Sequence, residues 1–143
     1  MIRTGQEVAR WVCGKLGSAF QEGAQGIGLE IGGKLTAGVC YDNWNKRSIM
    51  AHIVIEGRMT PQFLAVIFDY PFRQLGVGKV ICPIVETNKR SIRLCRKMGF
   101  EREATLRDSH PDGDMFLYSM KRENCRFIGD RYNGQIGIDA TRS

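Results

Sequence analysis

The run at residues 79–100, KVICPIVETNKRSIRLCRKMGF, constrains the chain more than any other stretch, because two different periodicities follow one another in it. Residues 79–85 are rich in β-branched side chains and come just after Gly76 and Gly78, as a buried strand does. Asn88 then caps a predicted helix in which Ile92, Leu94, Cys95 and Met98 share most of one face, while Lys89, Arg90, Arg93, Arg96 and Lys97 occupy the other. Gly99 supplies the left-handed stop, and Phe100 is left to anchor in the core.

The preceding half of the chain supplies the rest of a sheet. A Thr-x-x-Glu capping box at Thr4 and Glu7 predicts a helix that carries Val8, Trp11, Val12 and Leu16 to a stop at Gly17, with Trp11 in the core. Ile27, Leu29 and Ile31 alternate with Gly28 and Glu30, Gly32 and Gly33 supply a tight turn, and residues 35–41 resume an extended pattern, which is a hairpin. After a loop at 42–47, residues 48–56 form a strand with Met50, His52, Val54 and Glu56 on one face and Ile49, Ala51, Ile53 and Ile55 on the other.

Thr60 and Pro61 open a second helix, whose apolar stripe is Phe63, Leu64, Ile67, Phe68, Phe72 and Leu75 and which Pro71 is predicted to kink by removing the bond to Ile67. Strand, helix, strand and helix in that order give a βαβ crossover. A closing strand pair at 101–108 and 115–120 is joined by a turn at 109–114. The predicted fold class is therefore α/β (α+β): a mixed, mostly antiparallel sheet of six to seven strands with a central parallel pair, flanked by about four helices. Residues 1–128 read as one domain and 129–143 as an extension, in which Ile136 and Ile138 are a candidate edge strand.

Composition narrows the function classes. A chain of 143 residues with 43% hydrophobic content holds one core. Its longest apolar run, 63–68, falls far short of the roughly 20 residues that span a bilayer, and no signal-peptide core appears, so the expectation is a cytoplasmic protein with no membrane partner. Five scattered cysteines without a C-x-x-C pair argue against a disulfide framework and a zinc site, and suit buried small hydrophobes. A net charge of +6 favours an anionic partner, which charge alone leaves open as a phosphate-bearing cofactor, nucleic acid or an acidic protein surface. His110 with Asp108, Asp112 and Asp114 lies in a turn-like string, and no metal is expected there.

Asn88, Ser91, Ile92, Leu94, Lys97, Gly99 and Phe100 fit N-x-x-S/A-I-x-L-x-x-K-x-G-F, which resembles the helix-to-strand segment of the GNAT N-acetyltransferase superfamily. Arg102, Arg107, Gly113, Asp114 and Met120 resemble the ending of the branch that acetylates ribosomal protein N-termini. The strings GRMT, FDY and FRQLGV, within a likeness that runs from about Gly26 to Ile128, resemble a group encoded by phages and prophages. The resemblance implies acetyl-CoA as co-substrate, an amine acceptor that is a protein N-terminus, a lysine or a small amine, and a setting in the cytoplasm of a host or in a virion. It also admits a homodimer.

Arg73, Gly76 and Gly78 match the spacing of the family's phosphate loop, but they follow the second helix instead of preceding it. By chain order the phosphate site falls on the shorter GRMT, with Gly57, Arg58, Thr60, Gln62 and Phe63 at a helix start and Ile55 on the splayed strand before it. Asn88 and Ser91 match positions along the pantetheine side, with plain helix capping as the other reading of Asn88; the basic residues Lys89, Arg93 and Arg96 either reach phosphates or form a solvated face.

For chemistry, the acceptor amine must lose a proton, and His52 and Glu56 are the candidate bases, against readings as a half-buried strand histidine and a strand-end carboxylate. An unperturbed imidazole, near about 6.5, suits that task at neutral pH. Cys95 stands where many relatives carry a tyrosine that protonates the departing thiolate, and core packing is its alternative role. A non-catalytic binding or assembly module on the same fold, and a basic nucleic-acid-binding protein, are the competing functions; the second lacks any RNA-binding signature.

Overall fold

Period-two alternation in the first half of the chain is realised as an antiparallel meander: β1 (Ile2–Thr4), β2 (Gln25–Ile31), β3 (Lys34–Asp42) and β4 (Ser48–Ile55), each paired with the next. The computed structural model describes residues 1–129, and the candidate edge strand at Ile136 and Ile138 lies outside them. The seven described strands form one sheet in the order β1-β2-β3-β4-β5-β7-β6, with β5 (Lys79–Val85), β6 (Glu101–His110) and β7 (Gly113–Lys121) completing it. Only β4 and β5 run parallel, as the crossover requires. The predicted sheet is thus present, flanked among the described residues by three α-helices where about four are expected.

Helix α1 (Gln6–Leu16) starts without its predicted capping box. Thr4 belongs to β1 and pairs with Ile27, so its backbone serves the sheet; Gly5 precedes the helix with no side-chain cap, and Glu7 instead bonds Arg3 at 3.1 Å. The helix lies close on the sheet because β2 and β3 offer glycines beneath it. A Cβ at Gly26 would sit 2.5 Å from the Ala9 nitrogen, and one at Gly38 would sit 2.8 Å from Val12. Trp11 is only partly buried against this layer, at the edge of a cluster of Ala9, Val12, Cys13, Ala24 and Cys40.

Helix α2 (Pro61–Asp69) begins as predicted, with the Phe63 N–H donating to Thr60 Oγ1 at 3.1 Å. Its end differs from a simple proline kink. The chain winds into a π-turn, Tyr70–Gln74, in which the Leu75 N–H reaches the Tyr70 carbonyl at 3.0 Å. The Ile67 carbonyl that Pro71 cannot serve accepts the Tyr41 hydroxyl from the sheet, so the lost helix bond is replaced. Burial raises the Tyr41 hydroxyl well above its ordinary range, which keeps it a donor.

Helix α3 (Lys89–Met98) has the expected Asn88 cap and Gly99 stop. With α2 it covers the face opposite α1, over a core that includes Ile49, Ala51, Ile53, Val80, Cys82, Phe68, Phe72 and Phe100. The final hairpin turns on residues 111–112 alone, because β6 continues to His110 where a longer turn is expected. All five cysteines are free and buried. No helix among the described residues is long and apolar enough to cross a membrane.

Candidate active site

The parallel ladder is short. Ser48, Ile49 and Met50 pair with Lys79, Val80 and Ile81, and beyond them β4 and β5 diverge while each keeps its other neighbour. Strand alternation shows which groups this leaves facing the gap. The Glu56 N–H donates across to the Thr36 carbonyl at 2.8 Å, so the peptide groups of Ile53 and Ile55, three positions and one position earlier, turn toward β5. On the other wall the Glu86 N–H donates to Asp114, which turns Pro83 toward β4. A proline there removes a donor from the one side of β5 that has no ladder.

Between the diverging strands lies a cavity of about 250 Å³, lined among others by His52, Ile53, Cys82, Pro83, Asn88, Ser91, Cys95 and His110. A shallower pocket of about 180 Å³ continues it past Lys15, Ile55, Glu56 and Arg90, sharing Asn88 and Ser91. His52, Cys95, Asn88, Ser91, Ile55 and Glu56 therefore come together around one opening. Gly57, Arg58, Thr60 and Gln62 follow Ile55 and Glu56 along the chain and line neither pocket.

His52 is opposite Cys40 in the β3–β4 ladder and shares its α1-side face. Its Nε2 lies 3.0 and 3.1 Å from the two carboxylate oxygens of Asp42, whose side chain is 5% exposed. The Asn43 amide, on a residue at φ 54°, donates to the same carboxylate at 3.0 Å. In the neutral tautomer that donates from Nε2 to this carboxylate, Nδ1 presents a lone pair, and no described residue bonds to it. Asp42 is the partner that sequence reading placed in a loop. A carboxylate at the end of a strand whose antiparallel neighbour carries a histidine was the available signal.

The other candidates are more committed. Glu56 forms an ion pair with Lys15 at 3.1 Å. Cys95 is 1% exposed, and its thiol meets Cys82 Sγ at 3.5 Å; this contact, followed by burial, pushes the Cys82 thiol well above the usual range. The Asn88 Oδ1 accepts the Ser91 N–H at 3.2 Å, the capping role, which leaves its Nδ2 without a described partner. Phe63 differs most from expectation: its ring is fully buried, and its N–H, expected to be open to a phosphate, is taken by the Thr60 cap. The N–H groups of Arg58, Met59, Thr60 and Gln62 carry no protein partner among the described residues, and the first turn of α2 contains no acidic side chain.

Two sequence matches sit elsewhere. The loop containing Gly76 and Gly78 lies at the closed end of the β4–β5 pair, where the Gly78 N–H bonds the Arg47 carbonyl at 2.9 Å, far along the strands from the gap. His110 Nδ1 accepts the Asp112 N–H at 3.0 Å, a turn interaction, and no cluster of three or more His, Cys, Asp or Glu among the described residues is placed to hold a metal. Tyr118 is buried in the core.

No protein-family model matches the sequence, and no curated protein does. Solved structures do match in shape. Mutant forms of the spermidine/spermine N-acetyltransferase SpeG from Vibrio cholerae superpose with a TM-score of 0.68 at 14% identity, over 86% of this chain and 95% of that one. The same enzyme in complex with manganese ions gives 0.68 at 15% identity, over 86% and 92%. A protein from T. thermophilus assigned to the acetyltransferases gives 0.64 at 18% identity, over 81% and 68%. The sheet order and the parallel pair of the described strands are thus set in a fold that SpeG shares over 86% of this chain: the chain has a GNAT-like acetyltransferase fold.

Proposed function

We propose that this protein transfers an acetyl group from acetyl-CoA to a primary amine. The observation that carries the reading is the unzipping of β4 from β5 after Met50 and Ile81, which leaves the peptide edge at Ile53 and Ile55 without a strand partner beside the cavity and the pocket that continues it. An extended amide-bearing chain such as pantetheine can pair with such an edge as an added strand does. The residues present fit the remainder of the co-substrate: open amides at Arg58, Thr60 and Gln62 and the Arg58 charge suit a diphosphate, while Asn88 and Ser91 flank the arm.

His52 meets the gap from the α1 side, opposite the helices that would border the coenzyme. Its Nδ1 takes the acceptor's proton, with the Asp42 carboxylate holding the tautomer and stabilising the imidazolium that results. The freed amine lone pair forms the C–N bond as the C–S bond breaks, the electron pair leaves on the thiolate, and the second proton that the nitrogen then sheds is taken up by that thiolate. A thiol in the ordinary range, about 8.5, is a good enough leaving group that Cys95 need not supply an acid.

The acceptor's character follows from the rim. Glu56 lines the adjoining pocket, and the Asp112 carboxylate lies 4.0 Å from Nδ1 of the lining residue His110, so carboxylates stand at the opening of a chain that is otherwise basic. A cationic amine suits that rim: a polyamine of the kind SpeG is named for, a lysine, or a protein N-terminus beside basic residues.

Calorimetric titration with acetyl-CoA, followed by thiol release in the presence of spermidine, a lysine peptide and an N-terminal peptide, tests the reading. Sub-millimolar binding with release on at least one amine is expected. Absence of binding overturns it. Tight binding without release on any amine favours the non-catalytic module, which the capped Phe63 amide and the Cys82–Cys95 contact support.

A further inference from the structure

Arg90 lies on the first turn of α3, and its Nη2 donates to the Ile55 carbonyl at 2.7 Å. This contact crosses the mouth of the gap, joining the helix on one wall to the free edge of β4 on the other. The guanidinium holds a backbone carbonyl, as that of Arg126 does at the other end of α3. Arg90 has no carboxylate partner among the described residues, whereas Arg3, Lys15 and Lys79 all have one, and most of its five donors remain unused.

The acceptor is equally telling. By strand alternation the Ile55 carbonyl is one of the groups that an amide-bearing arm entering the gap would need, so Arg90 and such an arm compete for the same oxygen. Two residues further on, the chain enters the short segment 57–60, where Phe63 has surrendered its amide to Thr60 and the helix start is left with fewer free donors than a full phosphate loop would give.

We propose that Arg90 is a two-position coenzyme ligand: in the free chain it latches the gap by holding the Ile55 carbonyl, and on binding it releases that carbonyl to the pantetheine arm and grips the diphosphate. This rests on the acetyl-CoA reading above. The exchange trades a charge-to-carbonyl bond for a charge-to-phosphate bond, which is the stronger and can be bidentate, so occupancy of the gap itself drives the latch open.

Arg90→Ala separates this from a bulk charge effect when compared with Lys97→Ala. The Lys97 variant removes the same unit charge from the same helix at a distance of roughly 10 Å along its axis, given about 1.5 Å of rise per residue. Affinity for acetyl-CoA should fall roughly ten- to hundredfold in Arg90→Ala, the scale of a lost charge-assisted contact, and by less than about threefold in Lys97→Ala. S-acetylpantetheine, which lacks the diphosphate, should bind Arg90→Ala as well as or better than the parent chain, because the latch is gone. A uniform loss for both ligands, or unchanged acetyl-CoA affinity in Arg90→Ala, overturns the assignment while the parent's binding upholds the acetyltransferase reading. Failure of the parent chain to bind acetyl-CoA removes both. Matched thermal unfolding of the three chains establishes that Arg90→Ala is folded.

Discussion

At their first three residues β4 and β5 are zipped together and the surrounding polar groups are satisfied, whereas from His52 and Cys82 onward the same two strands separate and leave backbone facing a cavity. The closed end is dense with redundant contacts. Asn45 Oδ1 accepts the N–H groups of Arg47 and Ser48 at 3.0 and 2.7 Å, the Gly78 carbonyl accepts the Arg122 N–H at 3.0 Å, and Lys79 reaches Glu103 at 2.8 Å. Glu103 is held below its usual range by the hydrogen bond from Lys79 first and that from Ser119 second. At the open end the Arg90 side chain spans the mouth. On the proposed reading stability belongs to one end and binding to the other, and substitutions should separate accordingly.

The largest effect is expected on the closed side. Phe72 is fully buried in the π-turn and stacks near Phe68, so Phe72→Ala should lower unfolding stability by about 3–5 kcal/mol through lost burial and an unfilled cavity. Denaturant unfolding measures this. Because Phe72 touches nothing in the gap, any material that remains folded should bind acetyl-CoA with parental affinity. A loss of affinity without a loss of stability would dissolve the division between the two ends.

His52→Gln is the counterpart at the open end. Glutamine keeps a donor for Asp42 but no basic lone pair, so kcat should drop by about a hundredfold or more with thermal stability little changed. Asp42→Asn acts through His52 by removing the preference for the Nε2–H tautomer. It should lower kcat while leaving the affinity for acetyl-CoA untouched. Equal losses in stability and in kcat for His52→Gln would make His52 a structural residue of the sheet and leave the base unassigned.

How much of this was legible in the sequence depended on whether the signal was local. The strand at 79–85, its helix, the Asn88 cap and the Gly99 stop depend on neighbours a few residues apart, and they appear as read. The gap itself had a sequence mark in Pro83, since a proline inside a central strand needs a side without a ladder. Thr4 misled because a capping-box pattern and a strand end compete for the same residue, and pairing with Ile27 won through tertiary context. The Tyr41 hydroxyl on the Ile67 carbonyl, and the Asp42 carboxylate on His52, join residues separated by 26 and 10 positions. No local pattern encodes such contacts; only the register of β3 on β4 and the seat of α2 on the sheet create them.

The subtlest comparison lies at Thr60, where folding and binding draw on the same helix start. Its hydroxyl accepts the Phe63 N–H at 3.1 Å, and removing such a cap typically lowers stability by about 1 kcal/mol. In Thr60→Ala the Phe63 amide is orphaned in the free protein, and a bound diphosphate is the group best suited to satisfy it. The variant should therefore unfold earlier than the parent without ligand, yet gain more in melting temperature from saturating acetyl-CoA, because the ligand then supplies the missing cap. If the Thr60 hydroxyl is itself a phosphate donor, the gain shrinks instead. The sign of that difference tells whether α2 begins as a closed structural terminus, like the zipped end of the sheet, or as an opening that the protein keeps partly covered until the co-substrate arrives.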